Sequence, residues 1–105
     1  MRQIYYITES EDCKTILKNR QSKYFDVLLI SKHDPWSVKM LNQARQWATR
    51  FPDEDKILYV VNSYDVPEVW GVYDITVAPA LMRIKSGKVS VMVEYPSIYE
   101  YFNEN

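Results

Sequence analysis

Cysteine, glycine and histidine are scarce in this 105-residue chain, and each shortage removes a class of chemistry. The single cysteine, Cys13, cannot form a disulfide within the chain. The two glycines, Gly71 and Gly87, are too few for a glycine-rich loop whose backbone cradles a phosphate. The lone histidine, His33, with one cysteine and scattered carboxylates, shows no metal-ligand spacing, so neither metal nor cofactor is expected. Net charge is also missing: thirteen basic and fourteen acidic residues leave −1, with no run of one sign. That removes any general electrostatic grip on phosphate backbones or anionic membranes, and nucleic acid is not an expected partner. No apolar run approaches the length that spans a bilayer. The start, "MRQIYYITESED", lacks the apolar stretch and cleavage pattern of a signal peptide. With the single cysteine, this makes the cytoplasm the expected location.

What is present is apolar and ordered by period. Hydrophobic residues make up 47% of the chain, enough for one core, and the length points to a single domain over 1–105. "QIYYI" (3–7) reads as a strand. After it, Thr8 and Glu11 form a capping box for a helix carrying Cys13, Ile16 and Leu17 on one face. "FDVLLIS" (25–31) is almost continuously apolar, which predicts a central strand covered on both faces. Asp34 as N-cap and Pro35 at the first helical position then open a helix. Its apolar side is Ser37, Met40, Leu41, Ala44, Trp47, Ala48 and Phe51, and Pro52 ends it. "KILYVVN" (56–62) is another buried strand, and Pro67 opens a short helix interrupted near Gly71. "ALMRIK" and "KVSVMVEY" flank Ser86 and Gly87 as a hairpin, and "SIYEYFN" reads as a closing helix. The order is βαβαβαββα: an α/β fold with a central mixed sheet and helices on both faces.

These residues resemble the thioredoxin family. "DVPEVWGVYDITVAPALMRIKSGKV" is similar to the thioredoxin segment that contains "YGIRGIPTLLLFKNGEV". Tyr73 and Ile75 match the end of that segment's helix region, Pro79 falls on the family's cis-proline, and "IKSGKV" matches its hairpin. A gapless register carries the likeness back to Lys39 and Met40, which fall on the Lys-Met after the family's redox motif. The resemblance implies a thioredoxin-like fold with a cis Ala78–Pro79 peptide.

It does not bring the chemistry with it. In the gapless register the two redox cysteines are replaced by Pro35 and Val38. A glutaredoxin-like register, drawn from the likeness of "SKHDPWSVK" to "SKPDCPYCVK", places them at Asp34 and Ser37. Neither register contains sulfur, and a serine hydroxyl cannot cycle between thiol and disulfide. The family's buried aspartate and accompanying lysine are matched by Leu29 and Val60. No dithiol oxidoreductase activity is therefore expected. Cys13 reads as a buried core cysteine. A hydrolase built from His33, Asp34 and Ser37 is disfavoured, because adjacent residues seldom converge on one nucleophile and Asp34 already serves as a cap.

The resemblance leaves one functional surface, the face on which the family holds extended protein segments. Here it maps onto His33 and Trp36 of the former redox loop, then Val77, Ala78 and Pro79, and then Tyr95. Backbone groups beside a cis-proline can pair with a bound chain whether or not cysteine is present. Trp36 is either an anchor for a partner or a lid on the sheet. The expected function is a non-catalytic protein-binding or assembly module. The alternatives are a thiol-dependent redox protein using Cys13 and a self-associating structural subunit.

Overall fold

A computed structural model of the chain describes residues 2–9, 25–31, 34–50, 56–63, 65–67, 77–85, 88–93 and 95–104. These residues form five strands, β1 (Arg2–Ile7), β2 (Phe25–Ile30), β3 (Lys56–Asn62), β4 (Ala80–Lys85) and β5 (Lys88–Met92). Two helices accompany them, α1 (Pro35–Ala48) and α2 (Tyr95–Glu104). The sheet order is β1-β3-β2-β4-β5. β3 runs parallel to both β1 and β2, β4 is antiparallel to β2, and β5 is antiparallel to β4, so the sheet is mixed as expected.

β2 is central because its sequence leaves no face for water: Val27, Leu28, Leu29 and Ile30 are all buried. Successive side chains alternate between faces. Leu28 and Ile30 join Leu58, Val60 and Leu81 beneath the two helices, packing on Met40, Ala44, Trp47, Ile98 and Phe102. Val27 and Leu29 join Ile7, Tyr59, Val61, Val66, Ala80 and Met82 on the opposite face. The helices expected around Cys13 and after Pro67 lie outside the described residues, as do Phe51, Pro52, Ser86 and Gly87.

α1 follows the expected periodicity, with Ser37, Met40, Ala44 and Trp47 buried. It stops at Ala48 rather than running to Pro52. The Thr49 and Arg50 N–H groups donate to Gln46 O and Trp47 O at 3.1 Å each, and the Thr49 hydroxyl donates to Gln46 O at 2.7 Å. These bonds satisfy the last carbonyls before proline is reached. The C-terminal boundary also moves: β5 ends at Met92, and α2 starts at Tyr95, two residues earlier than its periodicity indicates. Pro96, with its fixed φ and no N–H to lose, suits the first turn of a helix.

Strand register gathers the site at one pole. Leu29 pairs with Ala80, and Leu81 with Met92, so the end of β2, the start of β4 and the end of β5 are neighbours. The Ser63 N–H reaches across to Ile30 O at 2.8 Å and ties the turn after β3 to the same edge. The loop into α1, the residues before β4 and the first residue of α2 therefore all emerge from one end of the sheet.

Candidate functional site: the loop into the first helix

The geometry of the loop at 31–38 is set by hydroxyl and carboxylate groups. Asp34 stands in an extended conformation, φ −89° and ψ 121°, and its Oδ2 accepts from the Ser37 N–H at 3.1 Å. This is the N-cap expected from sequence. The Ser37 hydroxyl donates to the same Oδ2 at 3.0 Å and accepts from the Ser31 N–H at 3.0 Å. The Asp34 N–H donates to Ser31 O at 3.0 Å, and the Val38 N–H to Asp34 O at 3.2 Å. Ser37 is only 1% exposed. Its hydroxyl thus donates once, accepts once and is closed to solvent, bracing the loop.

Of the two positional pairs that could stand where the family has cysteines, only Asp34 and Ser37 touch through their side chains. Pro35 and Val38 face outward. The i, i+3 spacing that brings two sulfurs together elsewhere here brings a carboxylate and a hydroxyl together. Leu29 and Val60 are both buried among apolar neighbours.

Around this centre several apolar side chains are exposed. Trp36 is 49% exposed, Val38 51% and Val77 47%. The Lys39 ammonium lies 4.6 Å from the centroid of the Trp36 ring, a cation–π contact that orients the indole along the first turn of α1. The Ala78–Pro79 peptide is cis, with Ala78 half-buried and Pro79 buried. Trp36, Val38, Val77, Ala78 and Pro79 therefore stand on or beside the same pole. Tyr95 joins them through its place at the start of α2. His33 and Cys13 lie outside the described residues. Among the described residues no cluster of three or more His, Cys, Asp or Glu could hold a metal, and no helix is long and apolar enough to cross a membrane.

This geometry agrees with comparison to solved structures. The chain is similar to the reduced thioredoxin pre-protein of Schistosoma mansoni, with TM-score 0.72 and 16% identity over 99% of this chain and 98% of that one. The fold is that of the thioredoxins. Oxidised thioredoxin O2 of Arabidopsis thaliana superposes with TM-score 0.76 at 11% identity, covering 96% of this chain and 92% of that one. Thioredoxin of Trypanosoma brucei brucei gives TM-score 0.71 at 10% identity, covering 96% and 88%. No protein-family model and no curated protein sequence matches the chain. The likeness to thioredoxins is therefore one of fold, and the chain's single cysteine leaves no C-x-x-C pair.

A second polar cluster went unread in the sequence. Asp26, at the start of β2, is 5% exposed and accepts a hydrogen bond from the Tyr101 hydroxyl of α2. Arg83 Nε on β4 lies 3.5 Å from Asp26 Oδ1, and its guanidinium stacks 5.2 Å from the Tyr101 ring centroid. Burial pushes the Asp26 carboxyl above its ordinary range, against the lowering influence of the Tyr101 hydrogen bond and of Lys56. Burial and the neighbouring carboxylate also push the Tyr101 phenol up. The one signal in the sequence is Asp26 itself, the single charge in the apolar run of β2.

Proposed function

We propose that this thioredoxin-fold chain is a non-catalytic protein-binding or assembly module, a single domain working in the cytoplasm. On this reading it holds an extended partner segment at the face around the former redox loop and the Ala78–Pro79 strand edge. The observation that carries the proposal is Ser37: its hydroxyl is buried and bonded to both Asp34 and Ser31, at the pole where Trp36, Val38 and Val77 are exposed. The centre that would exchange electrons has become a brace, while the surrounding surface still offers what a bound chain needs. Main-chain pairing along 77–78 supplies register, and Trp36 supplies an aromatic anchor.

Partner capture by the wild type, Trp36→Ala and Tyr95→Gly, each checked by thermal melting, tests the proposal. Trp36→Ala is expected to cost about 2 kcal/mol of binding, or roughly 30-fold in Kd, while leaving folding nearly unchanged. Capture indifferent to both substitutions would move the interaction away from this face. The non-catalytic part has its own assay: reduction of insulin in the presence of dithiothreitol should proceed no faster than without the protein. Turnover at a thioredoxin-like rate would overturn it, and its dependence on Cys13 would follow from Cys13→Ser.

A further inference from the structure

At the end of the sheet away from the candidate face, three polar side chains from three elements meet, two of them buried and the third, Arg83, 37% exposed. Asp26 comes from the central strand β2, Arg83 from its antiparallel neighbour β4, and Tyr101 from the last turn of α2. Asp26 and Arg83 are directly opposite in the strand register, so their side chains share a face, and that face is the one α2 covers. Asp26 and Tyr101 are each about 5% exposed. A carboxylate at this position therefore pays a desolvation cost that only Tyr101 and the cations can offset. Leu29, the residue matched to the family's buried aspartate, points to the opposite face of the sheet, so this cluster is a separate feature.

We infer that Asp26, Tyr101 and Arg83 form a pH-responsive latch that fastens the C-terminal helix α2 to the sheet. The groups bearing on it from each packed element are Lys56 on β3, Arg83 on β4 and Tyr101 on α2. Arg2 on β1 acts on the Tyr101 phenol as well, from its seat over the Trp47 ring of α1. Beyond the end of α1, Arg50 binds Phe102 O at 2.8 Å and anchors the same turn of α2 without contacting the carboxyl.

The direction of the response follows from linkage. A carboxyl whose folded-state pKa is raised favours the folded state most when neutral. Its contribution is complete below the ordinary aspartate range, near 3.8, and is lost as pH rises through the higher folded value. Ionisation of Asp26 thus loosens the latch, and α2 is held most firmly on the acid side. The same helix begins at Tyr95, so the latch acts on an element that reaches the candidate face, although the inference does not depend on what that face binds.

The experiment follows the carboxyl and the helix in the full chain. In the wild type, carbon-13 NMR should show the Asp26 side-chain carboxyl titrating above the ordinary aspartate range. Hydrogen-exchange protection in α2 should fall across the same interval relative to β3. Asp26→Asn, which keeps the shape and cannot ionise, should match the wild type near pH 3.5. It should then exceed the wild type by about 4 °C or more in Tm at pH 7. Tyr101→Phe removes a donor to the charged form and should move the carboxyl titration further up. An Asp26 carboxyl that titrates in the ordinary range, or a wild-type to Asp26→Asn difference unchanged between pH 3.5 and 7, would overturn the latch. The carboxyl titration needs only the wild-type chain, so it decides the matter even if Asp26→Asn does not fold.

Discussion

Truncating Ser37 to alanine removes one hydroxyl but affects two partners, because Ser31 N–H loses its acceptor and Asp34 Oδ2 loses one of two donors. A part-buried backbone N–H without an acceptor costs about 1–3 kcal/mol. Ser37→Ala should therefore lower Tm clearly, in contrast to Trp36→Ala one residue away. Asp34→Ala should cost about 1 kcal/mol as a lost N-cap. The double variant should cost less than the sum of the two, because the hydroxyl–carboxylate bond is counted in both single changes. Additive losses in thermal or denaturant unfolding would show that the two side chains act separately.

Among the described residues, the largest fully buried side chain is Trp47 of α1. Its ring is fully buried, meets Phe102 edge-on at 6.1 Å and supports the Arg2 guanidinium at 4.6 Å from the ring centroid. Its backbone carbonyl accepts from Arg2 Nη1 at 3.1 Å. One side chain thus joins β1, α1 and α2. Trp47→Ala should cost about 3–5 kcal/mol, a large share of the roughly 5–15 kcal/mol that typically stabilises a domain. Denaturant unfolding should show the midpoint falling accordingly, and Trp47→Phe should recover part of the loss. Elements of this kind were legible in the sequence where one signal dominated. Asp34 and Pro35 marked the start of α1, and the apolar runs of β2 and β3 marked buried strands. Boundaries were less legible where two signals competed. Val93 continues the apolar pattern of β5, yet Pro96 draws the helix start back to Tyr95. The candidate loop was readable as a site emptied of sulfur, but its bracing by Ser37 was not, because helical phase reports burial and not what a hydroxyl bonds to. The Asp26–Arg83 pairing depends on the β2–β4 register, which no local pattern specifies.

At the scale of the whole molecule, a formal charge of −1 and a sequence pI near 5.8 leave little mutual repulsion between copies close to pH 6. With Trp36, Val38, Val77, Val91 and Val93 all exposed, solubility should be lowest around that pH and recover on either side. Light scattering against pH would measure it, and a profile flat through pH 6 would show that these side chains do not drive contact between copies. The brace at Ser37 has a further consequence for anything seated on that pole. A thiolate that attacks a disulfide passes through a mixed disulfide, a covalent bond to its partner. The loop at 31–38 holds no sulfur, so on the binding reading proposed above its occupancy should follow concentration. The lifetime of such a complex is set by dissociation alone. On that reading, a bound segment should be recovered by rapid non-covalent capture or by photo-crosslinking from position 36, and not by thiol trapping at this loop.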